Sequence, residues 1–574
     1  MAGSTEMGAY ALHTRTEPMR TIFLALVLLL AAGSARAEDK KLPGGAEACV
    51  DCHQKDADGP AVDLDAFAKS VHGENGISCT DCHQSYAMGP HEGEWGTLSE
   101  ADQAKVDRLK KASWGEGEKK TAVTSPHAYL ACVNCHDAAT APFEASIHGK
   151  WLREDAKVAG PTCASCHGAV HAVAKLAPYK PTPNPRTPVP DDRRVIQQRC
   201  EACHGDPAYA AAAGLPQDVP LTFHDSIHGR NVRVGNRNAP ACVSCHATDA
   251  AGTHGIVAVE DPASPVNAAT RKDTCARCHE GSNDNFAALI AHKPIQEIGG
   301  TIPHIVHIAF SWLTTLTLLF FAFHVLIDFV YELRMRLAKK HHAPSAEDLK
   351  TVVRFDIHQR VQHWFMLAGV ILLGVTGWPL RGAGDPRAAP YSEAFFKIFG
   401  GAEGAALWHR IGAVLIIISS VYHLFYLTFL AAQKRLPLSM LPGPKDALDM
   451  RDNILFMLGL KKERPRFERY MYLEKFDYWA VFWGMVMMVG TGFIFWFPVW
   501  FAQHTPLWLV NAATIIHGEE ATLAILFLFV VHFYNVHLKP SIFPMNWAWL
   551  NGRITVEMMK HEHGLEYERM KKGE

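Results

Sequence analysis

The chain has 574 residues, of which 48% are hydrophobic and 20% charged, and its formal net charge is −2. This balance excludes a disordered acidic or basic tail protein, and it provides no basic surface for binding nucleic acid. Two features stand out: the chain has 32 His, and none of its 14 Cys lies beyond Cys278.

The N-terminus has the pattern of an export signal. Met19-Arg20 precedes an apolar run from Ile22 to Ala32, and Ala35-Arg36-Ala37 follows. A charged start, a short apolar core and an A-x-A end predict a secretory signal peptide over residues 1–37. The apolar run is too short to span a bilayer of about 30 Å. A retained N-terminal anchor is the alternative.

Residues 38–300 are predicted to form a periplasmic haem domain, because every cysteine lies in a C-x-x-C-H motif. In this motif two thiols bond to the haem vinyl groups, and the adjacent His binds the iron. Paired zinc sites are the rival interpretation, but zinc does not require a His after the second Cys in every copy. Disulfides are disfavoured because no Cys is left unassigned. The seven motifs are Cys49/Cys52/His53, Cys79/Cys82/His83, Cys132/Cys135/His136, Cys163/Cys166/His167, Cys200/Cys203/His204, Cys242/Cys245/His246 and Cys275/Cys278/His279.

Further histidines recur between the motifs as part of an internal repeat. Three times, a Phe and an S-x-H-G sequence separate two motifs, and another His trails the second one. The repeat predicts two extra ligands for each pair of haems, and therefore iron held by two His throughout. These six are His72, His148 and His228 in S-x-H-G, and the trailing His91, His171 and His254. For the seventh haem, His292 and His127 are the candidate sixth ligands, with His224 a weaker one.

Residues 49–279 leave only about 33 residues for each haem, too few to bury an ordinary hydrophobic core. The macrocycles would then form the core, and we expect short helices after the motifs, irregular connections and almost no sheet. Residues 177–192 form a stiff Pro-rich connector. This half resembles the multihaem cytochromes c that are built from doubled C-x-x-C-H units.

The second half carries five apolar stretches near the length of about 20 residues that a membrane-spanning helix needs. They lie at about 305–327, 362–380, 409–430, 477–499 and 514–537. If residues 38–300 are exported, segments 334–356, 433–474 and 538–574 are cytoplasmic and carry 6, 9 and 6 Lys and Arg. The external loops 381–404 and 500–511 carry 3 and 0, as the positive-inside rule expects. These patterns predict a bacterial inner-membrane protein with a connecting helix at 301–335, a membrane domain at 336–545 and a cytoplasmic tail at 546–574.

Histidines occur at helical spacing in this half. His517 and His532 are 15 residues apart in the last helix, and His409 and His423 are 14 apart in the third. At 100° per residue each pair lies on one face, with a member near each side of the bilayer. The second helix adds His363. Because imidazoles at membrane depth are costly and usually functional, the pattern predicts two b-type haems in addition to the seven c-type haems.

The four later helices form a duplicated pair, with the first helix outside the duplication. His363-Trp364…Gly369…Thr376-Gly377 parallels Tyr478-Trp479…Gly484…Thr491-Gly492, and His409…His423 parallels His517…His532. The predicted fold is therefore mostly α: a haem-packed, irregular cytochrome c domain, then a five-helix bundle made of a four-helix di-haem cytochrome b and one extra N-terminal helix.

Residues 352–570 resemble the di-haem cytochrome b (gamma) subunit of formate dehydrogenases, a relative of the cytochrome b of nickel-iron hydrogenases. The resemblance rests on four segments: Arg360-Val361-Gln362-His363-Trp364, Trp496-Phe497-Pro498, the His517/His532 helix, and Asn551-Gly552-Arg553…Glu568. It implies that His409 and His517 hold the outer haem, and His363 and His532 the inner one. His423 departs from the family pattern, and geometry alone would let it replace His363.

This combination predicts a quinol dehydrogenase that passes electrons from menaquinol or ubiquinol through b and c haems to a periplasmic cytochrome or reductase. The layout is similar to the inner-membrane quinol–cytochrome c conduits of anaerobically respiring, metal-reducing bacteria. Glu519 and Glu520, beside His517, are the candidate catalytic proton acceptors. An inner quinone site near His358, Gln362 and Asp477 is the rival. The alternative functions are a terminal reductase for a nitrogen or sulfur oxyanion, and an anchor for a separate dehydrogenase or hydrogenase.

Overall fold

The computed structural model describes residues 47–54, 61–83, 99–107, 126–153, 160–173, 192–247, 254–289, 292, 301–338, 345–382 and 388–572, apart from a few single positions within these ranges. The signal peptide, nearly all of the Pro-rich connector and His91 lie outside the described residues, as do the side chains of Cys52 and His127. The chain divides into two compact units, of which the smaller comprises residues 1–103, 127–132 and 167–175.

Residues 38–300, which the sequence predicts to be exported, are here called the exported half. Its described residues form short helices, and seven of the fifteen contain all or part of a motif. In the smaller unit they are α1 (Glu47–His53), α2 (Leu64–Ala68), α3 (Val71–Glu74) and α4 (Cys79–Cys82). Further along the chain come α5 (Pro126–Val133), α6 (Asp137–Ala145), α7 (Lys150–Arg153), α8 (Cys163–His167), α9 (Asp192–His204), α10 (Pro207–Ala213), α11 (Val219–Asp225), α12 (Ile227–Arg233), α13 (Cys242–His246), α14 (Arg271–Ala276) and α15 (Asp284–Ala287). Of the motifs, the third and the fifth are followed by a helix of at least seven residues, α6 and α10.

Five helices in the larger unit are long and apolar enough to cross a membrane, with mean hydropathy between 1.4 and 2.0. They are α16 (Thr301–Ala338), α17 (Ile357–Gly382), α19 (Ala402–Ala432), α21 (Tyr472–Trp496) and α23 (Leu507–Phe527). The last continues through two π-helical segments, Leu528–His532 and Tyr534–Leu538. Helix α17 packs on α19, and α23 packs on both α16 and α21. The expected five-helix architecture is confirmed, and each observed helix extends beyond its predicted core on at least one side.

The bundle has two distinct ends. One, here the motif end, carries α18 (Ala389–Ile398) and α22 (Pro498–His504). The other, here the cap end, carries α20 (Pro444–Met457), α24 (Ala548–Asn551), α25 (Val556–Glu562) and α26 (Gly564–Lys572). Strands β1 (Thr351–Val353) and β2 (Arg553–Thr555) pair antiparallel there, with Val352 opposite Ile554.

A buried charge network ties the cap together. The Arg354 side chain is 3% exposed and donates to Glu474 Oε1 at 3.0 Å and to Glu566 Oε2 at 3.3 Å. Arg469 donates to the other oxygen of Glu566 at 2.6 Å and to the Arg354 carbonyl at 2.9 Å. The C-terminal tail therefore belongs to the packed structure of the cap.

Candidate functional site

Two pairs of histidine rings face each other inside the bundle. The ring centroids of His409 and His517 are 6.5 Å apart, and those of His363 and His532 are also 6.5 Å apart. Two imidazoles that share one metal ion, with metal–nitrogen bonds of about 2 Å, have centroids about 6 Å apart. Both pairs therefore have the spacing of axial ligands on opposite sides of one iron.

Threonine hydroxyls orient the rings of the motif-end pair. Thr376 Oγ1 donates to the Leu372 carbonyl at 2.6 Å, so its oxygen is left to accept the N–H of His409 Nδ1 at 2.8 Å. Thr491 does the same for His517 Nδ1 at 2.8 Å. A proton held on Nδ1 leaves the lone pair on Nε2, the arrangement found in histidines that bind a metal.

The glycine after each threonine makes room for the ring. A Cβ on Gly377 would lie 3.1 Å from Cε1 of His409, and one on Gly492 would lie 3.8 Å from Cε1 of His517. The repeated Thr-Gly pair in the sequence therefore has a physical meaning that periodicity alone did not reveal: Thr holds the ring and Gly leaves its space open.

The cap-end pair uses a carboxylate instead. His532 Nδ1 lies 2.6 Å from Asp477 Oδ2, a His–carboxylate contact that fixes the ring and increases the basicity of the free nitrogen. The Nδ1 atom of His363 is buried without a hydrogen bond. The donor set in this bundle fits two haems held by two His each.

His423 belongs to neither pair. Its Nδ1 lies 2.9 Å from Gln362 Oε1 and its Nε2 lies 2.8 Å from the Tyr478 hydroxyl. Both ring nitrogens are thus engaged by neutral partners. In the duplication Tyr478 parallels His363, and His423 parallels His532. The His423–Tyr478 contact therefore corresponds to the His532–His363 ring pair, with the phenol of Tyr478 in place of the His363 ring.

The S-x-H-G sequences form a recurrent local structure in the exported half. In each copy the Ser Oγ donates to a Phe carbonyl at 2.6 Å and accepts the Gly N–H at 3.1 Å. A Cβ on the Gly would lie 2.0 to 2.2 Å from that same Phe carbonyl oxygen, so no larger residue fits. The serines are Ser70, Ser146 and Ser226, and the Phe residues are Phe67, Phe143 and Phe223. Ser and Gly thus present the intervening His on a tight turn.

Four more ring pairs in the exported half have the same spacing as those in the bundle. Each joins a motif His to another His, with centroids 6.1 to 6.3 Å apart. The pairs are His83–His171 in the smaller unit, and His204–His148, His279–His228 and His246–His292 in the larger one. Burial, with the neighbouring His204 and His246 rings, lowers the pKa of His148 to about 4. Such a ring is neutral at pH 7, which is the form that binds iron.

These pairs connect parts of the chain that the repeat kept separate. The ring of His228, which the repeat assigns to the third unit, faces His279 of the seventh motif. The ring of His292, a predicted ligand of the seventh haem, faces His246 of the sixth motif instead. His224 Nε2 lies 2.8 Å from Glu201 Oε1, and its Nδ1 lies 3.2 Å from Gln197 Nε2. Interaction partners are also present for the remaining described candidate ligands, which are His53, His72, His136, His167 and His254.

The cysteines of the described residues are not cross-linked. Thirteen of the fourteen are described, and none of these thirteen forms a disulfide. Nowhere in the described part of the chain do three His, Cys, Asp or Glu side chains converge as a zinc site would require.

Three motif cysteines, Cys135, Cys166 and Cys278, are exposed. The reason at Cys135 is local, because the motif joins the end of α5 to the start of α6, with His136 as the N-cap residue of α6. A junction between two short helices leaves little chain to cover the thiol. An exposed thiol is compatible with a thioether bond, and haem attachment at Cys135 stays a prediction.

The seventh motif lies against the motif end of the bundle. Gln503 of α22 donates to the carbonyl of Gly281, two residues after His279, and Asn285 donates to the Ala502 carbonyl at 2.5 Å. Leu289 packs against the cluster formed by Ile494, Val510 and Ala513.

The outer candidate quinone site contains an ion pair. Glu519 accepts from Arg381 at 3.2 Å and lies 3.9 Å from His307 Nδ1. Glu520 faces Gly484, where an added Cβ would lie 2.9 Å from its Oε1. His307, Ile308, Ser311, Trp312 and Thr315 line a nearby groove of about 300 Å³ on α16.

The inner candidate quinone site contains buried polar atoms without hydrogen bonds. His358 Nδ1 lies 2.8 Å from the Tyr422 hydroxyl, and Gln362 is 6% exposed with no acceptor for its Nε2. Asp477 Oδ1 is also buried without a donor. Gln362 and His363 are adjacent in α17, so this polar group lies beside the cap-end ring pair.

Two groups of residues were not anticipated from the sequence. The Thr-Gly pairs repeated in the duplication are the sequence signal for the orienting role of Thr376 and Thr491. The polar row His324, Asp328 and Glu332 on α16 was signalled by ionisable residues at intervals of four within an apolar helix.

Comparison with known proteins agrees with the geometry of the bundle. Residues 354–543, about one third of the chain, match the family model of prokaryotic cytochrome b561, and no curated protein matches the chain. The matched segment holds both ring pairs of the bundle and excludes α16. The membrane half is therefore similar to the prokaryotic cytochromes b561, membrane electron-transfer proteins that bind b-type haem.

Proposed function

We propose that the chain is a membrane-bound quinol dehydrogenase that passes electrons from the quinone pool, through two b haems and seven c haems, to a periplasmic cytochrome or reductase. One observation carries the proposal. Two ring pairs inside the bundle and four in the exported half share one centroid spacing, 6.1 to 6.5 Å.

The ligand pairs favour electron transfer over substrate reduction. Haem iron held by two His exchanges single electrons between its ferric and ferrous forms. At these six ring pairs both axial positions would be taken by side chains, so such a site would offer no open position for an oxyanion. This argument supports a conduit over a terminal reductase.

The proposed ligands in the bundle are His409 with His517 at the motif end and His363 with His532 at the cap end. In the exported half, the fourteen Cys attach seven haems and the motif His supply one ligand each. The contact of the seventh motif with α22 supports electron transfer between the bundle and the exported half at this point.

The cap-end pair bears on where quinol is oxidised. Oxidation of one quinol releases two electrons and two protons, so the site needs proton acceptors. If quinol were oxidised at the motif end, electrons would reach the exported half without any use of His363 and His532. The cap-end pair has a role when electrons cross the bilayer, and this supports the inner site at His358, Gln362 and Asp477.

The outer site remains the second candidate because the groove on α16 lies near Glu519. Arg381 already neutralises Glu519, which makes that carboxylate a weaker proton acceptor. In this site Glu520 would take the proton.

The first experiment quantifies haem in the purified protein, with seven c-type and two b-type haems per chain expected. A menaquinol analogue should then reduce both sets anaerobically. Colourless protein, or protein that carries zinc, would refute the proposal. A high-spin haem signal would favour the terminal reductase, and a co-purifying large metal subunit would favour the anchor.

Two matched variants locate the quinol site, since neither replaces a proposed iron ligand. His358→Phe should slow haem reduction by quinol while leaving reduction by dithionite unchanged, and Glu520→Gln should leave both rates unchanged. The opposite result would place quinol oxidation at the motif end.

A further inference from the structure

The first membrane helix, which lies outside the matched family segment, carries a row of buried ionisable side chains. His324, Asp328 and Glu332 follow one another at intervals of four residues, so they lie on one face over about 12 Å. They are 2%, 5% and 5% exposed. Ionisable groups that are taken out of water are costly to bury unless they are paired or bind a proton.

Two neighbouring elements complete a cluster around this row. The Tyr534 hydroxyl donates to Asp328 Oδ2 at 2.7 Å. The ammonium of Lys539, a residue 5% exposed, lies 3.5 Å from Asp328 Oδ1 and 3.7 Å from Glu332 Oε1. These two distances exceed those of a hydrogen bond, and Glu332 Oε1 is buried without one.

The charges of the cluster do not balance. Two carboxylates face one lysine, which leaves one excess negative charge when all three groups are ionised. Other titratable or charged groups near the cluster include Tyr331, Arg336, Arg464, Tyr472, His561 and Glu562. Arg464 and Glu562 carry opposite charges and Arg336 is exposed to solvent, so within the buried cluster the two carboxylates outnumber the lysine. Burying an uncompensated charge is costly, and binding a proton removes that cost.

Among the described residues, a chain of polar contacts leads from the cluster towards the cap. His324 Nε2 lies 2.7 Å from the Tyr472 hydroxyl, which accepts from Asn453 at 2.9 Å. Arg464 links Asn453 to the exposed His561, with contacts of 3.4 and 3.3 Å. These residues connect the buried row to the surface of the cap.

Towards the motif end, an aromatic cluster closes the row. Phe321 lies one turn from His324 and packs against Phe476 and Phe527, with ring centroids 4.7 and 5.2 Å apart. Val531 belongs to the same apolar cluster and precedes His532 directly. The ionisable row is therefore close to the cap-end ring pair but separated by apolar side chains from the other half of the bundle.

We propose that Asp328 and Glu332, with Lys539 between them, form a proton-binding site that exchanges with the cap side and takes up one proton when the neighbouring part of the bundle gains an electron. This inference rests on the proposed function, because it requires a reducible group at His363 and His532. An added negative charge nearby raises the proton affinity of a buried carboxylate, on the order of tenfold for one pKa unit. The proton comes from water at the cap surface, and it is released when the electron leaves.

The experiment is infrared difference spectroscopy of the purified full-length protein, reduced against oxidised, in H₂O and in D₂O. A carboxylic-acid C=O band that appears on reduction and shifts in D₂O is expected. It should be lost in Asp328→Asn or in Glu332→Gln, and it should persist in Glu557→Gln, a matched change at the exposed surface of the cap.

A second measurement follows the pH dependence of the b-haem reduction potentials. The wild-type potential of one b haem should fall as pH rises through neutrality, and Glu332→Gln should flatten this dependence without loss of haem. The absence of a redox-linked carboxyl band in the wild type would overturn the inference even if no variant folds. Haem-free protein would instead refute the proposed function, whereas two intact b haems without the band would refute the proton site alone.

Discussion

The histidine assignments in the bundle can be tested by one pair of variants, His363→Leu and His423→Leu. Both residues lie towards the cap end of neighbouring helices, and sequence spacing alone allowed either to face His532. In the structure His363 lies 6.5 Å from His532 by ring centroids, whereas both nitrogens of His423 are bound to Gln362 and Tyr478. The two substitutions should therefore have opposite consequences.

His363→Leu removes a ring whose Nδ1 makes no hydrogen bond, so the substitution removes the proposed iron ligand without breaking a hydrogen bond at that nitrogen. The b-type haem content should fall from two to one per chain. His423→Leu should retain both b haems. His423→Leu leaves the buried Gln362 amide oxygen and the Tyr478 hydroxyl without their hydrogen-bond partner, which costs about 1–3 kcal/mol for each group. When both variants are compared without b haem, His423→Leu should therefore have the lower melting temperature.

The assay is the pyridine haemochrome spectrum of the detergent-purified protein. It resolves b-type from c-type haem, and the seven expected c haems serve as an internal standard for the amount of chain. Loss of one b haem in His423→Leu, with both retained in His363→Leu, would refute the assignment and the geometric argument behind it.

Three further predictions concern the ring geometry and the cap. Gly377→Ala should shift the spectrum and potential of one b haem because its Cβ would lie 3.1 Å from a histidine ring, whereas Gly490→Ala, with no atom within 4 Å, should change neither. Arg354→Met should destabilise the cap by about 1.5–3 kcal/mol because it removes the buried guanidinium that bridges Glu474 and Glu566. Arg466→Met, which breaks an exposed pair, should cost at most about 1 kcal/mol; hydrogen exchange of the C-terminal helices measures both, and equal effects would contradict the role of burial. Burial, with the nearby Arg354, lowers the pKa of His563 to about 4 from 6.5. Between about pH 6.5 and pH 4 the unfolded state binds a proton that the folded cap does not, so the cap is most stable above about pH 6.5 and loses stability as pH falls towards 4. His563→Gln should flatten this pH dependence in limited proteolysis of the tail. An unchanged pH profile in the variant would contradict the prediction.

Much of the membrane half could be predicted from sequence because the relevant signals are local. A span is recognised by its length and apolar composition, and the five spans are present as helices. The cytochrome b character of residues 354–543 rested on short motifs around His363 and His517, and the family match agrees with it. The covalent attachment of seven c haems is likewise a local prediction, since C-x-x-C-H supplies every bonding group within five residues.

The pairing of histidine rings was decided only by tertiary structure. Helical periodicity places His409 and His423 on one face, and it cannot tell which of them meets a ring on another helix. Packing of α17 and α21 around α19 engages His423 with Gln362 and Tyr478, and leaves His409 opposite His517.

The same limit applies in the exported half. Chain order grouped the S-x-H-G histidines with the motifs around them, yet His228 faces the seventh motif, across about fifty residues of chain. The sequence by itself determined which residue types can hold iron and how many spans cross the membrane, because bonding groups and hydrophobic length are local properties. Which two histidine rings face each other at the spacing of axial ligands depends on how separate helices pack. Only the tertiary structure decided this pairing.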